Sequence, residues 1–566
     1  MTNVMCAGAG KPSQWESPDK KSDEAMRMKS GLAATALAVA LATAGSMMSF
    51  TANAQSQQVE PVNLDIVAKI RQEAFYRSQV MSTFTHLTEG IGPRLTNSPN
   101  MAKANAYARG KFNEWGLSKV HDYAFADFGR GWEFSKSRVE MIAPRALPLI
   151  ALPKAWTPGT NGVVEGDAIA VTLKTKEDLT KNKGKLRGKI VFLSDLRDYK
   201  PGTEPDLKRY DEAGLAALQT FAIPKAREDI TKRREEYRKS QQFARELNQY
   251  LLDEGVLAAV SISGWDNGII RVGGGGSRRA GESAGVPEFA MAAEHYNQVM
   301  RALKRNETVR IRAEADSRFT SDTNDAGYNT LAEIPGTSKA DEIVMLGAHI
   351  DSWHTGTGAA DNAAGVAVMM EAMRILKTLG IKPKRTIRVA LWSGEEQGLI
   401  GSSDYVARTF ADYPTSTAEE DMKFPKSLRP RTGPLQRKPA YDKFSVYFNM
   451  DNGSGKIRGI YAQENLAAAP IFAAWLKPFN DVGATTVVSR NTGSTDHIPF
   501  DRVGLPGFQF VQDGLDYFTN VHHSHLDTYD HASEDDMKQA AAVIASFVYH
   551  AAMRDEKMPR KGLLED

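Results

Sequence analysis

The chain has 566 residues, 42% of them hydrophobic and 25% charged, proportions that exclude a disordered chain and a polytopic membrane protein. Its 71 Lys and Arg against 69 Asp and Glu leave a formal charge of +2, too little field to draw nucleic acid or another polyanion. The one cysteine, Cys6, excludes a disulfide scaffold, a thiolate metal cage and a catalytic thiol anywhere downstream. At about 150 residues per domain the length allows two to four domains, each able to bury a core.

In chain order, Arg27 and Lys29 precede an apolar run from Gly31 to Phe50, and Ala52-Asn53-Ala54 comes next with small residues at a cleavage spacing. Residues 1–54 therefore read as a secretory signal peptide, with the mature chain starting at Gln55 and holding no cysteine; the rival reading is an uncleaved anchor. The signal implies export to the periplasm or the extracellular space, with no membrane span left after cleavage. Helical periodicity runs from Val62 to Leu87, and the Gly90–Arg94 stretch reads as a loop. A second helix over Met101–Trp115 is stopped by Gly116. Short strand-like runs with frequent Gly and Pro from Val139 to Leu196 form a β-rich module. The mixed-sign stretch from Lys225 to Glu254 reads as a solvated helix rather than a nucleic-acid arm. Gly273–Gly276 is a loop without the lysine and helix start that phosphate binding needs.

From Asp341 the pattern becomes strand, loop, helix, repeated. Apolar runs at Ile343–Leu346, Thr386–Trp392, Phe444–Phe448 and Pro506–Val511, with an amphipathic helix over Gly365–Leu379, predict an α/β sheet covered on both faces. Ligands of such sheets sit beyond the carboxyl ends of the strands. The residues there are His349 and Asp351, then Asp361-Asn362 after a Gly-rich turn, Glu395-Glu396, Asp451, and a late His522-His523-Ser524-His525. Imidazoles and carboxylates together are zinc chemistry, and a bridging carboxylate lets two ions sit side by side. Taken singly, each has an ordinary explanation. His349 could be a hydrogen-bonded core histidine, Asp361 and Asp351 caps, Glu395-Glu396 an acidic pair at a helix start, and Asp451-Asn452-Gly453 a turn. Independent caps and turns have no reason to recur at the ends of successive buried strands.

The segments GAHIDS, GAADNAAG, SGEEQGLIGS, NMDN and HHSHLDT together resemble the motif set of the M28 zinc peptidases. GSTD at Gly493–Asp496 and HHSH at His522–His525 are closest to a secreted dipeptidase branch of that family. GPRLTNSPN at Gly92–Asn100 extends the resemblance toward the amino terminus. It implies a phosphorylase/hydrolase-like zinc-exopeptidase domain, α/β with a mixed sheet between helices, plus an inserted β-rich protease-associated domain. The implied division is signal peptide 1–54, first part of the catalytic domain 55–150, inserted domain with the charged helix 151–315, and catalytic domain 316–566. Carried over by position, the resemblance puts one of two Zn(2+) ions on His349, Asp361 and Asp451 and the other on Asp361, Glu396 and His523, with Glu395 as general base. His522, His523 and His525 compete for the last position; the family's spacing selects His523. His522 stands where some relatives carry a tyrosine that assists the oxyanion. Asp351 is suited to hold the far N–H of His349, or to cap the strand end. The expected substrate is a dipeptide or short peptide, with aminopeptidase action on longer peptides as the alternative and a homodimer as the default assembly. A single-zinc glutaminyl cyclase and an inactive receptor-like relative are the other readings, both disfavoured by a complete set of ligands for two ions.

Overall fold

A computed structural model describes residues 60–562, apart from 126–127, 201, 221–229, 423 and 425. The signal-peptide reading of residues 1–54, and Cys6 with it, lie outside the described residues. Among those described, no helix is long and apolar enough to cross a membrane.

Two eight-stranded sheets organise residues 60–562. The first runs, edge to edge, through Ser118–Phe125, Gly327–Ile334, Arg385–Trp392, Lys339–His349, Phe444–Asn449, Gly507–Gln512, Ile457–Tyr461 and Thr486–Val488. The four central strands are mutually parallel, while Gly327–Ile334 and Ile457–Tyr461 join them antiparallel. All six residues of Phe444–Asn449 and of Gly507–Gln512 are buried, as expected for parallel strands covered on both faces. Val344, Leu346, Ile387, Val389, Val446 and Phe448 pack one face against helices Ala364–Thr378 and Glu534–Met553; Met345, Trp392, Tyr447 and Phe500 fill the other. Parallel register puts His349 opposite Trp392 and Gly347 opposite Asn449, so three strands end level with one another. The loops leaving these strand ends are therefore delivered to one rim.

The predicted amphipathic helix is Ala364–Thr378, and it is buried on every side from Ala364 to Leu376. The two charged positions within that span are not a solvent face. Arg374 bonds both oxygens of Glu371 at 2.8 Å and reaches Glu73 of helix Leu64–Tyr76 at 2.9 Å, a buried network that ties the two helices together.

The second sheet runs through Leu147–Leu149, Trp132–Ala143, Arg310–Phe319, Val164–Ala170, Lys189–Phe192, Ala258–Ile262, Glu288–Met291 and Ala151–Pro153. It therefore begins at Trp132 and ends at Phe319, beyond the expected division at 151 and 315 on both sides. Trp132–Ala143 pairs antiparallel with Arg310–Phe319 along almost its whole length, a pairing across more than 160 residues that local composition does not reveal. The charged stretch supplies helix Ile230–Asp253. In the Gly273–Gly276 loop, a Cβ on Gly276 would fall 1.9 Å from Trp156 O, so glycine there serves close backbone packing.

Candidate metal centre

His349 is the last residue of its strand and is 1% exposed. Its Nε2 lies 3.2 Å from Asp361 and 3.5 Å from Asp451, while its Nδ1 faces the backbone carbonyl of Asp351 at 3.0 Å. That bond fixes Nδ1 as the protonated nitrogen and leaves the Nε2 lone pair free. Asp361 enters from the turn before helix Ala364–Thr378, through a cis Asp361–Asn362 peptide. Asn362 locks the turn: its side chain donates to Met450 O at 2.9 Å and accepts from Gly365 N–H at 3.0 Å. A Cβ on residue 365 would sit 2.2 Å from Asn362 Oδ1, so that helix start requires glycine. Asp451 lies just past the Phe444–Asn449 strand, its carbonyl held by Gln509 Nε2 at 2.8 Å.

On the other side, His523 Nε2 lies 3.0 Å from Glu396 and 3.5 Å from Asp361. The five residues named as metal ligands thus meet around Asp361, which touches both halves of the cluster. Three of them present a buried atom with no hydrogen-bond partner among the described residues: His349 Nε2, Asp361 Oδ2 and Glu396 Oε1. Buried polar atoms are normally satisfied, and buried acceptors left unpartnered within one cluster of imidazoles and carboxylates are the expected appearance of a cation site. His522 lies beside the cluster, its ligand atom grouped with those of Asp361 and His523; burial and the neighbouring His523 hold its imidazole down to about 3. His525 is committed elsewhere, its Nδ1 accepting from Ile270 N–H at 3.0 Å.

Asp351 faces more than one partner. Its carboxylate is 3.7 Å from His349 Nδ1, beyond hydrogen-bond range. Instead Oδ1 accepts from Glu395 N–H at 3.3 Å and Oδ2 from Glu396 N–H at 3.4 Å and from Thr96 Oγ1 at 3.0 Å. Thr96 Oγ1 also accepts from Gly394 N–H at 3.1 Å. A carboxylate on one strand end thereby holds the paired-glutamate turn on the next. Burial, reinforced by Asp451 and Asp496, pushes the Glu395 carboxyl well above the ordinary range, and burial with Asp361 does the same for Glu396.

Three further residues of the site lie within motifs that carry the resemblance, HHSHLDT, GSTD and GPRLTNSPN, but nothing local assigns them a role. Asp527 accepts from Ala360 N–H at 2.7 Å and Asp361 N–H at 3.2 Å, clamping the backbone of the bridging residue; burial and then Asp361 push its carboxyl up to about 7. Asp496, fully buried, is likewise pushed up by burial to about 7. Arg94, also fully buried, donates to the carbonyls of Ile350, Thr357, Gly358 and Gly92. Burial lowers it to about 10, so it stays charged at neutral pH. Against the guanidinium of Arg94 and that of Arg271 beside His522 and His523 stand the carboxyls of Asp351, Asp361, Glu395, Glu396, Asp451, Asp496 and Asp527. Such a set requires further positive charge or extensive protonation to persist in a buried site.

Comparison with known proteins adds four findings. Residues 329–548 match the model of Peptidase family M28. The chain is 25% identical over 500 residues to carboxypeptidase Q of Mus musculus, covering 88% of this chain and 90% of that one. Its fold is similar to a peptidase M28 precursor from Shewanella amazonensis, with a TM-score of 0.60 at 24% identity over 88% of this chain and 99% of the other. It is also similar to a zinc aminopeptidase from Bacillus subtilis, with a TM-score of 0.51 at 18% identity over 85% and 96% of the respective chains.

Proposed function

The chain is a metallopeptidase of family M28, its family domain spanning residues 329–548, and from that premise we propose that it is a two-zinc exopeptidase hydrolysing dipeptides or short peptides. The observation that carries the reading is the clustering of His349 Nε2, Asp361 Oδ2 and Glu396 Oε1 as buried atoms without partners. His349, Asp361 and Asp451 would hold one zinc, and Asp361, Glu396 and His523 the other. Nitrogen and carboxylate oxygen are the donors zinc takes when no thiolate is at hand, and the chain has no cysteine after Cys6. When bound, the ions supply Lewis acidity to the scissile carbonyl and lower the pKa of water toward 7.

The remaining chemistry belongs to side chains. Glu395 takes the proton from the attacking water and returns one to the leaving amine, a role open to a buried carboxylate whose proton affinity is raised by its surroundings. Asp351 keeps the backbone of Glu395 and Glu396 in register through two N–H contacts. Asp527 does the same for Asp361. His522, whose ligand atom lies beside those of Asp361 and His523, is the candidate to assist the oxyanion. The sheet spanning Trp132–Phe319, with helix Ile230–Asp253, serves as a protease-associated module over the cleft. Residues 1–54 direct export to the periplasm or the extracellular space, and the working assembly is a homodimer.

A substrate panel tests the reading: free dipeptides, N-blocked peptides with a free carboxyl end, and amino-acyl amides such as Leu-amide, each with and without chelator. Hydrolysis of free dipeptides, abolished by chelator and restored by zinc, is the expected result. Robust cleavage of amino-acyl amides in preference to dipeptides would replace it with an aminopeptidase reading.

A further inference from the structure

The loop between strands Ala258–Ile262 and Glu288–Met291 of the second sheet brings a charged side chain to the loop that carries His523. Val272 N–H donates to His523 O at 3.1 Å, His525 N–H to Ile270 O at 3.1 Å, and Arg271 bridges antiparallel to Ser524. This short ladder brings the Arg271 guanidinium against the catalytic loop, with Nη2 3.3 Å from Nδ1 of both His522 and His523. The face of Trp265 lies 5.6 Å from it. Arg271 makes no ion pair among the described residues, and its Nε and Nη1 have no acceptor there. Beside it, Trp353 lines the same opening as Asp361, Glu396 and His523. The Trp353 indole N–H is buried without an acceptor, and the ring packs with Ile270 and Val272.

A guanidinium and an indole N–H are donors only. A rim built from them accepts an anionic oxygen and repels a protonated amine. The C-terminal carboxylate of a dipeptide lies about one residue, ~3.6 Å in extended chain, beyond the scissile amide; a longer or amidated peptide puts an uncharged group there. We propose that Arg271 binds the free α-carboxylate of the substrate's C-terminal residue, and that this contact selects free dipeptides over amidated or extended ones. The proposal rests on the peptidase reading above.

The test is steady-state kinetics on one dipeptide and its C-terminal amide, using zinc-loaded wild type, Arg271→Ala and Arg271→Lys. Loss of a charge-assisted contact predicts a KM for the free dipeptide about 10- to 100-fold higher in Arg271→Ala, with kcat essentially unchanged. kcat/KM for the free dipeptide falls by a larger factor than kcat/KM for the amide, and Arg271→Lys recovers part of that difference. Calorimetric binding of the product amino acid weakens by the same factor as the rise in KM. Equal losses on both substrates, the result of a role confined to holding His523, overturn the proposal. So does a preference for the free dipeptide that survives in Arg271→Ala. A wild type that cleaves the amide as readily as the free dipeptide instead defeats the dipeptidase reading before any variant is made.

Discussion

Asp351 illustrates how much a single side chain's direction matters. A histidine at a strand end with an aspartate two residues on invites the reading of a carboxylate steadying an imidazole. Here the Asp351 backbone carbonyl takes His349 Nδ1, and the carboxylate is turned to the N–H groups of Glu395 and Glu396. Sequence spacing puts both groups at the right strand end but says nothing about which of the residue's acceptors is used. Replacing the carboxylate by an amide presents an NH2 where an N–H or hydroxyl now donates. Asp351→Asn therefore lowers kcat/KM by about 10- to 100-fold, the range for residues that orient metal-site groups, with the fold intact by circular dichroism. Unchanged kinetics would show that the paired-glutamate turn holds itself. The metal-ligand candidates were legible because each lies just past a buried strand or belongs to a motif of the resemblance. Asp527, Arg94 and Thr96 also fall within quoted motifs, but their roles were not legible, since these depend on backbone groups distant in sequence: Ala360, Thr357 and Gly394.

At the scale of elements, the strands read from apolar runs all appear: Ile343–Leu346 within Lys339–His349, and the others within one or two residues of their ends. Periodicity also finds helix Ala364–Thr378, but it misreads the polar positions as a solvent stripe. Helices Leu64–Tyr76 and Glu534–Met553 cover the face away from the sheet, and Glu371, Arg374 and Glu73 satisfy one another inside, at 1%, 4% and 2% exposure. Pattern alone cannot distinguish a charge that meets water from one that meets a buried partner. Arg77 joins the network through Glu73, and Ser78 Oγ and Gln79 N–H donate to Glu371. Arg374→Met leaves two buried carboxylates without their central cation, and breaking such a network costs about 3–5 kcal/mol. Denaturant unfolding is expected to report that loss while KM stays at the wild-type value. A loss below about 1 kcal/mol, the range of surface pairs, would mean that water reaches the network.

For the whole molecule, the second sheet is part of the site as well as a neighbour of it. Its Ile270–Val272 segment pairs with His523–His525 some 250 residues later, which places Arg271 at the cleft and backs the loop carrying His523. The sequence announces β-rich structure here by its Gly- and Pro-punctuated short strands. It conceals the start at Trp132 and the contact with the catalytic loop, because both are pairings between segments far apart in the chain. The central claim is that two zinc ions sit at the rim shared by the parallel strands, with Glu395 moving the proton. Elemental analysis of zinc per chain, made on the same samples assayed for dipeptide turnover, addresses it most directly in wild type, Asp361→Ala and Glu395→Ala. The account predicts two zinc ions and full turnover in wild type. In Asp361→Ala both ions and turnover are lost; in Glu395→Ala two ions remain and turnover falls about 10²- to 10⁴-fold. Near-wild-type turnover by Glu395→Ala with its metals bound, or by Asp361→Ala without them, would contradict it.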